Sequence, residues 1–515
     1  MSNADERWVL RAGDQRTLDE RAEASRIEQD ALMESAGTNA AEWIDRRLRP
    51  RRPVIVAGPG GNGGDGFVVA RRMLEADADV RTFSLVSIDD CSEATQRMGE
   101  RLEAAGGTIR PAADASLTEA LDRADCVIDA LFGSGLGRPL EGEALRVVEQ
   151  IDACGARVIS LDLPSGLASD RGDLLGPSIH ADVTLAMAFL KPAHLLWPAA
   201  GRCGDTAMVG VAYPASVVRT AQPWARVCEV SGIAHRLPNR LPNGHKGTFG
   251  RVLVVAGSVG MTGAAILCCR AAARAGAGLV LLAVPASLDP ILEAALPETI
   301  TLPIPDVDGC LASLDDARFR DALERADVVA VGPGLSRGDG TMDAVRDLVD
   351  RYAGPIILDA DGLGALEGRP EILDRLADRA VLTPHPGELA ALLDTTPAEI
   401  DGARREHAAG FAAAHRVVLV VKGRPTAIGL PGGDVYLNPT GNDGLATGGS
   451  GDVLTGLIAG FVAGGAPLAD AALTAAYVHG LAAEVFARER SSRTLTPSDL
   501  LDLLPQTLRE VERCA

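Results

Sequence analysis

Lysine is nearly absent from this chain: of 50 basic residues only Lys191, Lys246 and Lys422 are lysines, the rest being arginine. Arginine serves wherever a generic positive charge suffices, so a persisting lysine marks a place for a compact ammonium, chance survival being the competing reading. Aromatic residues make up only 3%. The nine cysteines form no C-x-x-C and only one adjacent pair, Cys268 and Cys269, which excludes a disulfide framework and zinc-ligand spacing. Long apolar runs are missing too. One long uncharged stretch, 453–469, falls just short of a membrane span and is interrupted by glycines and a proline, so it reads as a buried helix. The opening MSNADERWVL has no basic segment ahead of an apolar core, and a cytoplasmic protein with no membrane partner is expected. With a net charge of -20, nonspecific nucleic-acid binding is excluded. A site for an anionic substrate must therefore be built locally, from backbone amides, helix N-termini and a few placed cations.

What is present is a 515-residue chain with 47% hydrophobic residues and 57 glycines, which fits an α/β protein of two large domains. After a charged helical segment at 15–48, apolar runs at 53–57, 80–86, 125–131, 157–161 and 182–189 alternate with helical stretches, as in a parallel sheet covered on both faces. The pattern dissolves between 214 and 243, where prolines stand at 214, 223, 238 and 242, and the boundary is placed there, with domains at 1–225 and 226–515. A second alternation follows, and it too reads as doubly wound.

In the first half, GPGGNGGDG at 58–66 follows a strand and opens a helix. Gly58, Gly60 and Gly63 satisfy G-x-G-x-x-G, but no acidic residue closes the second strand, and the lysine-and-hydroxyl P-loop pattern is absent, which demotes a dehydrogenase and that kind of NTPase. Asn62 and Asp65 lie inside the turn, where a pyrophosphate would need only amides. Asp129 and Ser165 each end a strand, and with Asn62 they offer oxygens to a hard cation; a turn-forming Asn and an N-capping Ser stand as the alternative.

GPGGNGGDG, DALFGSGLGRPL (129–140) and LDLPSGL (161–167), in that order, resemble the NAD(P)H-hydrate epimerase domain over about residues 10–215. The resemblance implies a Rossmann-like fold and a potassium ion held by Asn62, Asp129 and Ser165. It also implies substrate contacts from Gly61, Asn62, Gly63, Gly64 and Asp65, from Gly133, Ser134, Gly135, Leu136, Gly137, Arg138 and Pro139, and from Asp162. Asp162, at a strand end, is the candidate acid/base. Lys191 either holds a phosphate or caps the sheet.

In the second half, TGGSGDVLTGL at 447–457 places three glycines and a serine ahead of Asp452, in the first turn of a helix. Free amides near Gly449, Ser450 and Gly451 would form an anion hole. A carboxylate facing a phosphate is unfavourable unless it takes a proton from an attacking hydroxyl, the alternative being a carboxylate that only stabilises the helix dipole. This arrangement resembles the ribokinase-like superfamily. HKGTFG (245–250), GSVGMTGAA (257–265), GPGL (332–335), LDADGL (358–363), LTPHPGE (382–388) and KGRPT (422–426) narrow it to a resemblance to the NAD(P)H-hydrate dehydratase domain from about 235 to 510. That implies hydrate contacts at Ala264, Gly334, His385 and Asp452, and nucleotide contacts at Lys422, Gly423, Arg424, Pro425, Thr426 and Gly451. Lys246 and Lys422 are expected to meet phosphates, and His385 between two prolines is held in a rigid turn. Asp443 stands where the family usually has proline, which leaves that loop less rigid.

Together the resemblances imply a bifunctional repair enzyme for NADHX and NADPHX. The first domain would interconvert R and S hydrates; the second would phosphorylate the 6-hydroxyl of the S hydrate from ADP or ATP with Mg2+, Asp452 acting as base, and eliminate phosphate. A homo-oligomer is expected. The rivals are a true small-molecule kinase and a first domain that only binds.

Overall fold

The apolar runs PVIVA, CVIDA and VTLAM are buried along their whole length, as strands covered on both faces must be. The computed structural model describes residues 6–515. It divides into two units, Arg7–Trp224 and Ala225–Ala515 together with Glu6.

After β1 (Glu6–Val9), the first unit holds β2 (Pro53–Ala57), β3 (Arg81–Ser84), β4 (Ile109–Pro111), β5 (Cys126–Ala130), β6 (Arg157–Leu161), β7 (Val183–Met187) and β8 (Asp205–Val209). The sheet order is β4-β3-β2-β5-β6-β7-β8, every neighbouring pair parallel. Period-two alternation serves both faces: Ile55 and Ile128 join one hydrophobic cluster, Val54, Val56 and Val127 the other. The chain runs outward from β2 to β4, then returns to β5 on the other side of β2. The loops after β2 and β5 therefore open a crevice at the topological switch point. The charged segment expected as one helical stretch is two helices, Ala12–Ala24 and Gln29–Arg47, with Arg26 in the left-handed region between them. Strands β4 and β8 escaped the sequence reading because, as edges, they lack a fully buried run.

In the second unit the strands are β9 (Ala225–Cys228), β10 (Arg251–Val255), β11 (Leu279–Pro285), β12 (Ile300–Ile304), β13 (Val328–Val331), β14 (Ile356–Leu358), β15 (Ala380–Leu382), β16 (Val418–Val421), β17 (Thr426–Gly429) and β18 (Val435–Asn438). Their order is β9-β18-β17-β16-β15-β14-β13-β10-β11-β12. Strands β10 to β16 are parallel to their neighbours, but β16, β17 and β18 run antiparallel in succession, an antiparallel extension the alternation did not announce. Strand β9 lies within the proline-rich stretch 214–243, so that stretch is not merely a linker. The switch point falls between β10 and β13.

The uncharged run 453–469 is buried as expected, but it belongs to two helices. Ser450–Ala463 stops at Gly464 and Gly465, and Leu468–Ala487 begins after Pro467. Among the described residues no helix is long and apolar enough to cross a membrane. Helix Ser450–Ala463 packs closely on helix Thr262–Arg274: a Cβ on Gly456 would lie 2.2 Å from the Cys268 carbonyl oxygen, and one on Gly460 2.6 Å from that of Ala272. Glu6 is tied into this unit, accepting hydrogen bonds from Arg236 (2.7 Å), Tyr436 (2.8 Å) and Arg226 (3.3 Å).

Candidate active sites

In the first unit every candidate sits at the carboxyl ends of the strands. Asp129 ends β5 with no exposed surface. Its Oδ1 accepts from Ser165 Oγ (2.6 Å) and the Leu131 amide (3.2 Å); its Oδ2 accepts from Ser160 Oγ (2.7 Å) and the Ser165 amide (2.9 Å). Burial pushes the Asp129 carboxyl up, only partly offset by these bonds. Asn62, in the first turn of helix Gly61–Glu75, differs: both atoms of its side-chain amide are buried without a hydrogen-bond partner. Such a group signals an absent partner. Gly133 sits against it, for a Cβ there would lie 3.3 Å from Asn62 Oδ1 and 2.8 Å from Asp162 Oδ2. The remainder of 133–139 is an irregular loop, exposed at Gly137, Arg138 and Pro139.

Asp162, just past β6, has φ 62°, a left-handed conformation that costs an ordinary residue on the order of 1–3 kcal/mol and is held only where surroundings enforce it. They do so here. Lys191 Nζ donates to Asp162 Oδ1 at 2.6 Å, the Ser134 amide donates to Oδ2 at 2.9 Å, and the Asp162 carbonyl meets His194 Nε2 at 2.7 Å. His194 Nδ1 accepts from the Lys191 amide (2.8 Å), so Nε2 carries the proton. Burial, with Lys191 nearby, pushes the His194 imidazole down to about 4, keeping it neutral. Burial would raise the Asp162 carboxyl, but the Lys191 ammonium outweighs it and holds the group below the usual aspartate range. Lys191 is wholly buried and also donates to the carbonyls of Met187 (3.2 Å) and Phe189 (3.0 Å). Its three protons are taken, which removes the phosphate-holding reading and leaves an internal one. Asp65 is pushed well up by burial and by the Asp162 charge. Asp19, bonded to the Tyr213 hydroxyl, is also raised by burial and lies in the same electrostatic neighbourhood. Sequence reading missed Asp19, Tyr213 and His194: none lies in a glycine-rich motif.

In the second unit the expected anion-hole turn opens a helix, but the Ser450 amide donates within that turn, to the Thr447 carbonyl (3.3 Å). Gly449 caps helix Ser450–Ala463 at φ 95°, which only glycine adopts at little cost, and Asp452 stands in the first turn. A Cβ on Gly451 would lie 3.4 Å from Lys422 Nζ and 3.8 Å from Asp359 Oδ2. Asp359, almost wholly buried just past β14, accepts from Lys422 Nζ (2.9 Å), Thr383 Oγ1 (2.8 Å) and Thr455 Oγ1 (2.7 Å). Glu388 Oε2 is 3.7 Å from the same ammonium. Burial would lower the Lys422 ammonium, but these carboxylates raise it above its usual value. Asp452 is pushed up to about 7, first by burial and then by the Asp359 charge, with Lys422 opposing. Asp359, Thr383, Thr455 and Glu388 were not singled out from sequence. The DAD in LDADGL was the available signal.

Gly334 approaches Ala264, whose Cβ a Gly334 Cβ would meet at 3.1 Å. His385 caps helix Pro386–Leu393, its Nδ1 accepting from the amides of Gly387 (3.0 Å) and Glu388 (3.2 Å). With Nδ1 accepting, Nε2 is the donor nitrogen; the ring is 56% exposed and Nε2 lies 3.4 Å from Glu388 Oε1. Thr426 Oγ1 closes the 422–426 turn on the Gly423 carbonyl (3.0 Å), and Arg404 holds the Pro425 carbonyl (2.8 Å). The loop around Asp443 is fixed without a proline, by Asn442 on Ala483 (2.8 Å) and the Gly441 amide on Glu484 (2.9 Å). Lys246 is exposed, outside the Lys422 cluster. Among the described residues no group of three His, Cys, Asp or Glu side chains could hold a metal ion.

The family described as NAD(P)H-hydrate dehydratase matches residues 252–506, and the one described as YjeF-related protein N-terminus matches residues 29–193. The bifunctional NAD(P)H-hydrate repair enzyme of Moorella thermoacetica is 40% identical over 494 residues, covering 93% of this chain and 92% of that protein. That of Thermofilum pendens is 36% identical over 97% of this chain and 96% of the relative. Among solved structures, the ADP/ATP-dependent NAD(P)H-hydrate dehydratase of Bacillus subtilis, co-crystallised with ATP and Mg2+, is 34% identical with a TM-score of 0.47, covering 55% of this chain and 98% of that one. With both halves matched in order and relatives aligned from end to end, the chain belongs to the family of bifunctional NAD(P)H-hydrate repair enzymes.

Proposed function

We propose that this protein restores hydrated nicotinamide cofactors, epimerising NADHX and NADPHX in the first unit and dehydrating the S hydrate in the second at the expense of ADP or ATP. The observation that carries the reading is the meeting, at one helix start, of an amide turn, the Lys422 ammonium and a carboxyl poised near pH 7. A base whose pKa lies near working pH combines the ionised form with useful proton affinity.

Asp452 takes the proton of the hydrate's 6-hydroxyl, whose oxygen attacks the terminal phosphoryl group. The amide of Gly451 and the Lys422 ammonium stabilise the charge on the transferring group. The C6–O bond then breaks with its electron pair leaving on phosphate, the ring nitrogen supplies density to C6, and C5 loses a proton to restore the dihydropyridine ring. Mg2+ bound with the nucleotide would neutralise phosphate charge. Gly334, Ala264 and His385 Nε2 line the hydrate side, while residues 422–426 face the nucleotide.

In the first unit Asp162 serves as base, and Asp65, whose carboxyl burial and the neighbouring Asp162 charge push well up, as acid. Residues 61–65 and 133–139 would hold the substrate. Asn62, Asp129 and Ser165 fit a potassium ion, since the buried Asn62 oxygen lacks a partner, and the ion would supply positive charge beside the ring. Incubating purified protein with mixed R and S NADHX, with and without ADP or ATP, and following the NADH absorbance tests the reading. Full nucleotide-dependent recovery is expected; recovery of only the S fraction removes the epimerase, and accumulation of a stable phosphorylated hydrate makes the second unit a kinase.

A further inference from the structure

The first unit buries an ammonium where no solvent and no substrate phosphate reaches it. Lys191 has no exposed surface, and its Nζ makes three hydrogen bonds: to Asp162 Oδ1 (2.6 Å), the Met187 carbonyl and the Phe189 carbonyl. Isolating a cation in this way is costly unless its partner charge needs it, because each buried ion loses several kcal/mol of hydration. The partner is the residue assigned above as base, and the rest of the clamp is equally directed. His194, neutral and in the Nε2-protonated form, grips the Asp162 carbonyl and is itself oriented by the Lys191 backbone amide. Lys191 and His194 thus act as one unit, through two contacts on the same aspartate, and hold a left-handed backbone in place.

The two carboxylate oxygens are not equivalent. Oδ1 is engaged by the buried ammonium. Oδ2 meets only a backbone amide, that of Ser134, on the loop expected to hold the substrate, and a second lone pair on it remains available. Gly133 leaves the space beside Oδ2 open, since a Cβ there would lie 2.8 Å away.

We propose that Lys191 and His194 are positioning residues of the epimerase site: they grip the carboxylate and the carbonyl of Asp162 and aim Oδ2 at the substrate's hydroxyl, with the Ser134 amide fixing that oxygen beside the 133–139 loop. This rests on Asp162 being the base. The proton of the 6-hydroxyl moves to Oδ2 as C6 becomes a carbonyl and the C6–N1 bond breaks, its electron pair going to the ring nitrogen, which takes a proton from Asp65; the nitrogen then re-adds to the other face of the carbonyl, returning its proton to Asp65 while the oxygen recovers its own from Oδ2. The other groups bearing on Asp162 are Asp65 from helix Gly61–Glu75, Asp19 from helix Ala12–Ala24 and Tyr213. Asp65 and Asp19 oppose its ionisation when charged, and the ammonium counters them.

The test uses the full chain, measuring R to S conversion without nucleotide across pH, with dehydration of pure S hydrate as the control for the second unit. In Lys191→Met the burial of Asp162 is no longer opposed, so the acidic limb of the rate profile should move up by about 1–3 pH units, the range an adjacent opposite charge accounts for. Activity lost at acid pH should return as the pH is raised towards 7. An unmoved limb, even with a lowered Tm, overturns the proposal. Should Lys191→Met fail to fold its unit, His194→Gln is the second arm: kcat should fall about tenfold or more with KM little changed, since only aim is lost, and an unchanged kcat overturns the role of the clamp. Asp162→Asn separates this from the parent reading. If it epimerises normally, Asp162 is not the base; if it is inactive while Lys191→Met keeps the wild-type profile, the positioning role alone fails.

Discussion

Lys422 Nζ lies 2.9 Å from Asp359 Oδ1, directly beneath the glycine turn that opens helix Ser450–Ala463. The ammonium is therefore held at the floor of the anion hole before any nucleotide arrives. The Asp359 charge that holds it also raises the Asp452 carboxyl, so one carboxylate anchors the cation and tunes the proposed base.

Replacing Asp452 with Asn keeps shape and removes the base. Dehydration should fall by about 10²- to 10⁴-fold, with nucleotide affinity held or raised and epimerisation unchanged as the folding control. The stability sign is distinct. Asp452 has a folded pKa raised to about 7 from 3.8, so the folded state prefers the protonated form, and stability is lost as pH rises from about 4 to 7. The Asn variant should match wild type near pH 4 and melt higher by about 2–5 °C at pH 8. Near-normal dehydration by the variant rules Asp452 out as base.

Asp359→Asn should move the acidic limb of kcat for dehydration downwards. Wild-type activity rises through about pH 7 as Asp452 ionises; without the Asp359 charge, and with Lys422 freed towards Asp452, ionisation occurs at lower pH. A limb that stays put or moves up shows that Asp359 does not tune the base.

Asn62 offers a separation of stability from function. A buried amide without a partner costs about 1–3 kcal/mol, so Asn62→Ala should leave the Tm equal or higher. It should also abolish potassium-dependent stabilisation of the first unit and most epimerisation, both measurable by titrating KCl against NaCl. Retained potassium response in this variant removes Asn62 from the ion's ligands.

His385 does two things with two nitrogens. His385→Asn preserves an N-cap, a position Asn favours, but removes the Nε2 donor. The hydrate KM should rise with Tm within about 0.5 kcal/mol of wild type in stability terms. His385→Ala should lose about 1 kcal/mol in addition. Equal KM for Asn and wild type makes the histidine structural only.

Much of this site could be read from sequence because glycine turns and strand ends are local signals. The turn at 447–452 and the strand-end positions of Asp129 and Asp162 follow from spacing alone. What stayed hidden depends on long-range proximity. Asp359 and Lys422 are 63 residues apart and meet because β14 and β16 both flank β15. His194 and Asp162 are brought together across 32 residues, with no periodicity to announce it. The scarcity of lysine did point to the ammoniums at 191 and 422, though equally to the exposed Lys246, and not to their partners. The antiparallel extension of the second sheet was missed because short runs broken by glycine and proline carry little signal.

Glu6 belongs with residues 225–515 rather than with the residues that follow it. This glutamate is made well ahead of its partners Arg226, Arg236 and Tyr436, which follow more than two hundred residues later, so the second unit is completed by a residue that precedes the whole of the first. Cutting the sequence at the apparent boundary therefore yields a second half whose Arg236, largely buried, has lost its nearest carboxylate, and the two activities are divisible on paper more easily than in a tube. The same bond gives the fused arrangement a reason to persist beyond convenience: the repair catalyst in the second half carries, as part of its own fold, a segment that only the upstream gene region encodes.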